Sequence, residues 1–245
     1  MEFHIRCNPE DIARYAFVPG DHERAKKIAD HFDNARLVSD SRGYMVYTGT
    51  VGGIPMTVSS TGMGGPQIAI CVEELAHLGA DTFIRVGSCG TFQDHVQVGD
   101  VIIPTGVYRG GATAHRYLPP AFPAVPTWQV LTALVEAARK LGIPVHVGIG
   151  SSWDAFYALP ELSLLEKLKK AGVLAAEMEC DTLFVIGSFR GWRTGAILAN
   201  DGTSTEVKPA WGEEAFRRGE EQEIRIAIEA MKSIALADQA AAKQQ

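Results

Sequence analysis

Short apolar runs and helical patterns alternate along this whole chain, and that alternation limits the fold more than any other feature. Ala16-Phe17-Val18 stops at Pro19-Gly20-Asp21, and a helical pattern follows over residues 22–32. Asp21 can cap that helix, because its side chain can accept from the free N–H groups of the first turn. Residues 44–51 and 54–60 form two β-runs joined by Gly52-Gly53, the pattern of a hairpin. The loop Thr61-Gly62-Met63-Gly64-Gly65 leads into a helix over 66–78, with Pro66 where a missing N–H costs least. Further strands are expected at 82–86, 101–103, 145–149 and 194–199, residues 173–176 form a short apolar run, and further helices are expected at 127–141, 162–171, 178–190 and 213–237. A chain of this kind buries a sheet between helices. The expected fold class is therefore α/β, one domain over residues 1–245 with a central mixed β-sheet flanked by helices. The 46% hydrophobic content is enough for such a core.

Composition removes several function classes. A net charge of −6 argues against a general nucleic-acid binder. The longest apolar runs fall far short of the ~20 residues that span a bilayer, so no membrane partner is expected. Cys7, Cys71, Cys89 and Cys180 form no CxxC pair and no zinc spacing. The N-terminus is too polar for a secretory segment, and the reading is a reduced, cytoplasmic protein. The histidines show no metal spacing, and no metal is expected. The chain has no P-loop lysine motif, no GxSxG elbow and no HExxH. Gly62-Met63-Gly64-Gly65-Pro66-Gln67 begins like a dinucleotide fingerprint, but Gln67 stands where the third small residue belongs.

Four constellations could carry chemistry in loops beyond the carboxyl ends of the strands. In Pro19-Gly20-Asp21-His22-Glu23-Arg24, a glycine and a helix N-terminus let backbone N–H groups approach an anion, and Arg24 lies one turn on. A plain turn with a surface arginine fits the same residues. In Arg85-Val86-Gly87-Ser88-Cys89-Gly90, an arginine near the end of an apolar strand precedes a hydroxyl and two glycines, which suits a phosphate. An arginine paired with a structural carboxylate is the alternative. In Glu177-Met178-Glu179, one carboxylate can turn inward and grip a sugar diol while the other points elsewhere. An acidic helix start accounts for the pair equally well. Asp201, in Asn200-Asp201-Gly202, is placed to act as a general acid or simply to form an Asp-Gly turn.

Taken in order, these motifs resemble the nucleoside phosphorylase family that contains the hexameric purine nucleoside phosphorylases and the uridine phosphorylases. His4-Ile5, Arg42-Gly43, Tyr47-Thr48-Gly49 and Gly62-Met63-Gly64 complete the series. The resemblance covers almost the entire chain and implies a three-layer sandwich. It also implies roles, residue by residue. Gly20, Arg24, Arg85 and Ser88 would cradle phosphate, with Arg42 reaching in from a neighbouring subunit. A neighbour's His4 would meet the ribose 5′-hydroxyl, while Glu179 and Met178 hold the sugar. Phe156 would stack on the base near Cys89 and Gly90, and Asp201 would protonate the purine N7. The implied assembly is a homo-hexamer, a trimer of dimers with His4 and Arg42 donated across each dimer.

The implied reaction needs no cofactor beyond inorganic phosphate as co-substrate. Phosphate below the sugar stabilises an oxocarbenium-like state, Glu179 orients the ribose, and Asp201, its pKa raised by burial, gives a proton to the leaving base. The preferred substrate is a purine nucleoside such as inosine or guanosine. Uridine phosphorylases carry Gln-x-Arg soon after the stacking aromatic, whereas Tyr157-Ala158-Leu159-Pro160-Glu161-Leu162 has neither residue. A uridine phosphorylase is nevertheless an open alternative. A second is a nucleoside hydrolase like the methylthioadenosine and S-adenosylhomocysteine nucleosidases, and a third is a non-catalytic nucleoside binder. Arg217 and Arg218 lie near the place of an arginine that assists the acid, and Trp211 lies in an expected lid over the base.

Overall fold

A computed structural model describes residues 1–158, 160–203 and 214–244. The elements run β1 (Tyr15–Phe17), α1 (His22–Ala29), β2 (Asp33–Ser41), β3 (Tyr44–Val51), β4 (Ile54–Ser59), α2 (Gly65–His77), β5 (Thr82–Thr91) and β6 (Val101–Gly110). They continue with α3 (Trp128–Leu141), β7 (Val145–Trp153), α4 (Leu162–Lys170), β8 (Ala175–Glu177), α5 (Cys180–Arg190), β9 (Arg193–Thr203) and α6 (Glu214–Ala242). Local signals act as the sequence suggests. Asp21 accepts from Arg24 N at 3.0 Å and starts α1, and Gly142 ends α3 in the left-handed region at φ 66°.

The strands form one mixed sheet in the order β2-β3-β4-β1-β5-β8-β7-β6-β9, and β9 also pairs with β5. That last pairing closes five strands into a ring, β5-β8-β7-β6-β9. One hydrophobic cluster, including Val72, Leu75, Leu183 and Phe184, packs α2 and α5 on one face. A second, including Ile28, Leu134, Ala227 and Met231, packs α1, α3 and α6 on the other. The result is the layered α/β architecture expected from the alternation.

Several strands run further than their apolar stretches suggest. β5 continues through Gly87-Ser88-Cys89-Gly90 to Thr91, so that motif lies within a strand and not in a loop beyond it. Neighbours on both sides supply the reason: β5 pairs with β9 as far as Thr91↔Thr203 and with β8 at Gly90↔Ala176. Ladder hydrogen bonds there outweigh the local preference of glycine for turns. β9 likewise extends through Asn200-Asp201-Gly202 to Thr203. Its register against β5 shifts between Cys89↔Asn200 and Gly90↔Gly202, which leaves Asp201 as the extra residue. Met178 and Glu179 precede α5 instead of forming its first turn. β2 has no counterpart in the sequence expectations. It is a bulged, mostly exposed edge strand without an alternating apolar face.

The end of α6 is fixed to the start of the sheet by one carboxylate. Asp238 accepts from Arg193 Nη1 and Nη2 at 2.9 and 2.6 Å and from Tyr15 Oη at 2.9 Å. Partial burial pushes its pKa up, but Arg193 and Tyr15 outweigh burial and hold it below the ordinary value. Asp238→Ala is expected to lower stability by roughly 1–3 kcal/mol at neutral pH. Because the folded pKa is depressed, that contribution is present above the unfolded value and lost as pH falls through the folded one. Thermal melts of both proteins at neutral and at strongly acidic pH should show the gap closing in acid.

Candidate active site

The site is built around a buried guanidinium. Arg85 lies in the middle of β5 and is 3% exposed. Gly87, two residues on, shares its strand face. A Cβ on Gly87 would stand 2.8 Å from Arg85 Cζ and Nη2, so glycine is what lets the side chain fold over the strand. Arg85 Nε donates to Glu177 Oε2 at 2.9 Å, and Nη2 pairs with Glu179 Oε2 at 2.5 Å. Nη1 is buried with no hydrogen-bond partner among the described residues. It lies 3.9 Å from where a Cβ on Gly20 would stand, so this edge meets the β1–α1 turn. Burial opposes the charge on Arg85, but Glu179 and Glu177 outweigh it and raise the pKa above the ordinary value.

Both carboxylates of Glu177-Met178-Glu179 turn inward, which corrects the expectation that one would point elsewhere. Glu177 accepts from Glu179 N at 2.9 Å and Cys180 N at 3.0 Å, and Ser152 Oγ donates to it. It thus satisfies the start of α5 while holding Arg85. Glu179 accepts from Gly64 N, which ties α5 to the N-terminus of α2. Burial pushes the Glu179 pKa up, and Arg85 opposes without cancelling the rise. Met178, between them, is half-buried. Sequence reasoning singled out Glu179 and left Glu177 without a role. The signal for Glu177 was the cost of burying Arg85 without a second partner.

The other expected anion ligands flank Arg85 on two sides of the sheet. The Gly20 turn is strapped down by Thr61 N→Pro19 O at 2.8 Å and Gly62 N→Gly20 O at 2.9 Å. A Cβ on Gly20 would meet Gly62 O at 2.9 Å, so a side chain is excluded there. Arg24 is buried in the first turn of α1, and its Nε donates to Glu220 of α6 at 2.9 Å. Glu223 Oε1 lies 3.3 Å from the same nitrogen. Strand alternation puts Ser88 with Ile84 and Val86, on the face that α1 and α6 cover, opposite Arg85. Arg24 and Ser88 therefore approach from one face and Arg85 from the other, with the Gly20 turn at the edge between them.

Asp201 is 7% exposed at the register shift of β9, a place where bulges re-aim side chains. β5 lies between it and Glu177, since Gly90 pairs with Gly202 on one side and Ala176 on the other. Cys89 is buried beside Ala199. Phe156 follows β7 in an irregular segment and is 48% exposed, edge-on to Tyr157 at 5.0 Å. Arg217 and Arg218 are exposed on α6, and Arg218 pairs with Glu214 at 2.8 Å. Trp211 lies outside the described residues.

His4 and Arg42 are brought together at a separate place. The Arg42-Gly43 turn joins β2 to β3 with φ of 53° and 86°, and the Arg42 guanidinium sits over the Phe3 ring at 5.1 Å. Phe3 stands edge-on to His4 at 4.8 Å. The bonds of His4 go to Glu74, with Nδ1 at 2.5 Å, and Glu74 also accepts from the backbone of His4 and Ile5. Glu74 is another residue that sequence reasoning missed.

The Arg85 cluster makes a stability prediction. Gly87→Ala places a methyl group against the guanidinium and breaks its buried pairs with Glu177 and Glu179. The expected loss is about 3–5 kcal/mol, the cost of leaving buried charges unpaired. Urea melts would check it, and a loss below about 1 kcal/mol would show that Arg85 relocates freely.

Comparison with known proteins places this geometry. The Phosphorylase superfamily matches residues 14–238. The chain is 40% identical to a uridine phosphorylase of Thermococcus kodakarensis, over 96% of this chain and 87% of the other. It is 42% identical to a uridine phosphorylase of Treponema pallidum, over 97% and 95%. It is also 39% identical to a guanosine phosphorylase of Halorubrum lacusprofundi, over 81% and 82%. These enzymes are pentosyltransferases, and their names lean towards uridine where the sequence motifs lean towards purine. With the ordered motifs, the buried arginine centre and these matches in agreement, the chain belongs to the nucleoside phosphorylase family.

Proposed function

We propose that the chain cleaves nucleosides with inorganic phosphate, releasing a free base and a pentose 1-phosphate. The observation that carries this reading is Arg85: two of its edges are fixed by buried carboxylates, and the third is turned to the Gly20 turn with no protein partner among the described residues. A buried cationic donor beside open backbone suits a phosphate dianion. A phosphate oxygen attacks C1′ as the C1′–N bond breaks, and the bonding electron pair leaves with the base. Arg85 and Arg24 hold the phosphate, and Ser88 supplies a hydroxyl. Glu179, beside the sugar, orients its hydroxyls with Met178. In the same reading a neighbouring subunit supplies His4 to the 5′-hydroxyl and Arg42 to the phosphate, within a hexamer built from dimers.

Uridine is the base-bearing substrate that the long, full-length matches favour. A second reading, 6-oxopurine nucleosides such as inosine and guanosine, is favoured by one observation: Asp201 is buried at the register shift of β9, and in this reading it lies at the base end and gives its proton to a purine N7. The absence of Gln and Arg from residues 157–162 supports the same reading. Phe156 can stack on either base.

Base release from uridine, inosine, guanosine and adenosine, each with and without phosphate, tests these readings. Phosphate-dependent release from uridine supports the first, and release from inosine or guanosine supports the second. Release that ignores phosphate would make the protein a hydrolase. Asp201→Asn is expected to lower kcat on a purine nucleoside by about 10²-fold or more with little change in KM. An unchanged kcat would remove Asp201 from the acid role.

A further inference from the structure

We propose that Glu220 and Glu223 of α6 are positioning residues for phosphate: Glu220 by a hydrogen bond and Glu223 by an ion pair hold the Nε edge of Arg24 so that its two Nη groups face the anion. The inference deepens the phosphorylase reading and rests on it. The two carboxylates are three residues apart and share one helix face. Glu220 Oε1 accepts from Arg24 Nε at 2.9 Å, and Glu223 Oε1 stands 3.3 Å from the same nitrogen as an ion-pair partner, both of its oxygens buried without a hydrogen-bond partner among the described residues. Neither Nη of Arg24 has a protein partner among the described residues, so the guanidinium is held from behind by one edge. Arg85 repeats the arrangement, with Nε on Glu177 and Nη1 unpartnered.

Glu223 is wholly buried, an expensive place for a carboxyl group unless the position is used. Burial pushes its pKa well above the ordinary value, Arg24 and Arg85 oppose the rise, and Glu220 adds to it. The second oxygen of Glu220 accepts from Lys27 Nζ at 2.6 Å, one turn beyond Arg24 on α1. Lys27 is half-exposed and provides an internal control. Removing it loosens the same pair of helices without touching Arg24.

The test is calorimetric titration of the full chain with inorganic phosphate, beside phosphate and nucleoside KM values, for Glu220→Ala, Glu220→Gln and Lys27→Met. Glu220→Ala is expected to weaken phosphate binding about tenfold or more and to raise the phosphate KM alike, with nucleoside KM within about twofold. Glu220→Gln, whose amide oxygen can still accept from Nε, should recover most of the loss, and Lys27→Met should stay within about twofold of the unmodified protein. Should Glu220→Ala not fold, Glu223→Ala leaves the Lys27 bridge intact and carries the same expectation. Weakening by Lys27→Met as large as that by Glu220→Ala would reduce the pair to helix packing and overturn the proposal. Phosphate binding that is unchanged in Glu220→Ala would overturn it alone. An unmodified chain that binds no phosphate would overturn it together with the phosphorylase reading.

Discussion

A guanidinium buried between two carboxylates organises this molecule. Arg85 could not remain charged inside the sheet without Glu177 and Glu179, and they could not be buried without it. Each partner also holds something else. Glu177 takes the backbone N–H groups that open α5, and Glu179 takes the N–H that opens α2. One electrostatic knot therefore joins the central strand to the starts of two helices. The folding requirement and the candidate site are the same residues, which leaves little freedom to alter one without the other.

Charge is then presented from both faces. Arg85 belongs to the α2 and α5 side, Arg24 to the α1 and α6 side, and the glycine turn after β1 separates them. Both arginines are held through Nε. For Arg24, a guanidinium fixed at that edge keeps its paired N–H groups parallel and directed, the geometry that recognises a phosphate with two bonds at once, while Arg85, with Nη2 on Glu179, offers Nη1. Holding the donors in place before the ligand arrives removes a reorganisation cost at the moment of reaction.

Much of this was legible in the sequence because it rests on local signals. Apolar runs marked most strands, Asp21 and Gly142 marked helix ends, and the glycine-flanked arginine marked the centre of the site. What escaped depends on partners distant in the chain. The extent of β5 and β9 follows from their pairing with one another, which no local preference encodes. β2 escaped because an exposed edge strand needs no alternating apolar face. Glu177, Glu220, Glu223 and Glu74 looked like ordinary acidic residues, and only burial beside a distant cation or N–H group separates them from solvated ones. Asp201 was the hardest to place, since it owes its position to a register shift.

That shift has an evolutionary consequence. The groups assigned to phosphate and sugar are tied into the folding knot, whereas Asp201 sits on an extra residue of one strand and Phe156 in the irregular segment after β7. On the proposed reading, an insertion or exchange at either place would edit base choice and leave the Arg85 knot fixed. On that reading, small local changes would be enough to move a chain of this architecture between pyrimidine and purine, and overall identity would then be a poor guide to the base it cleaves.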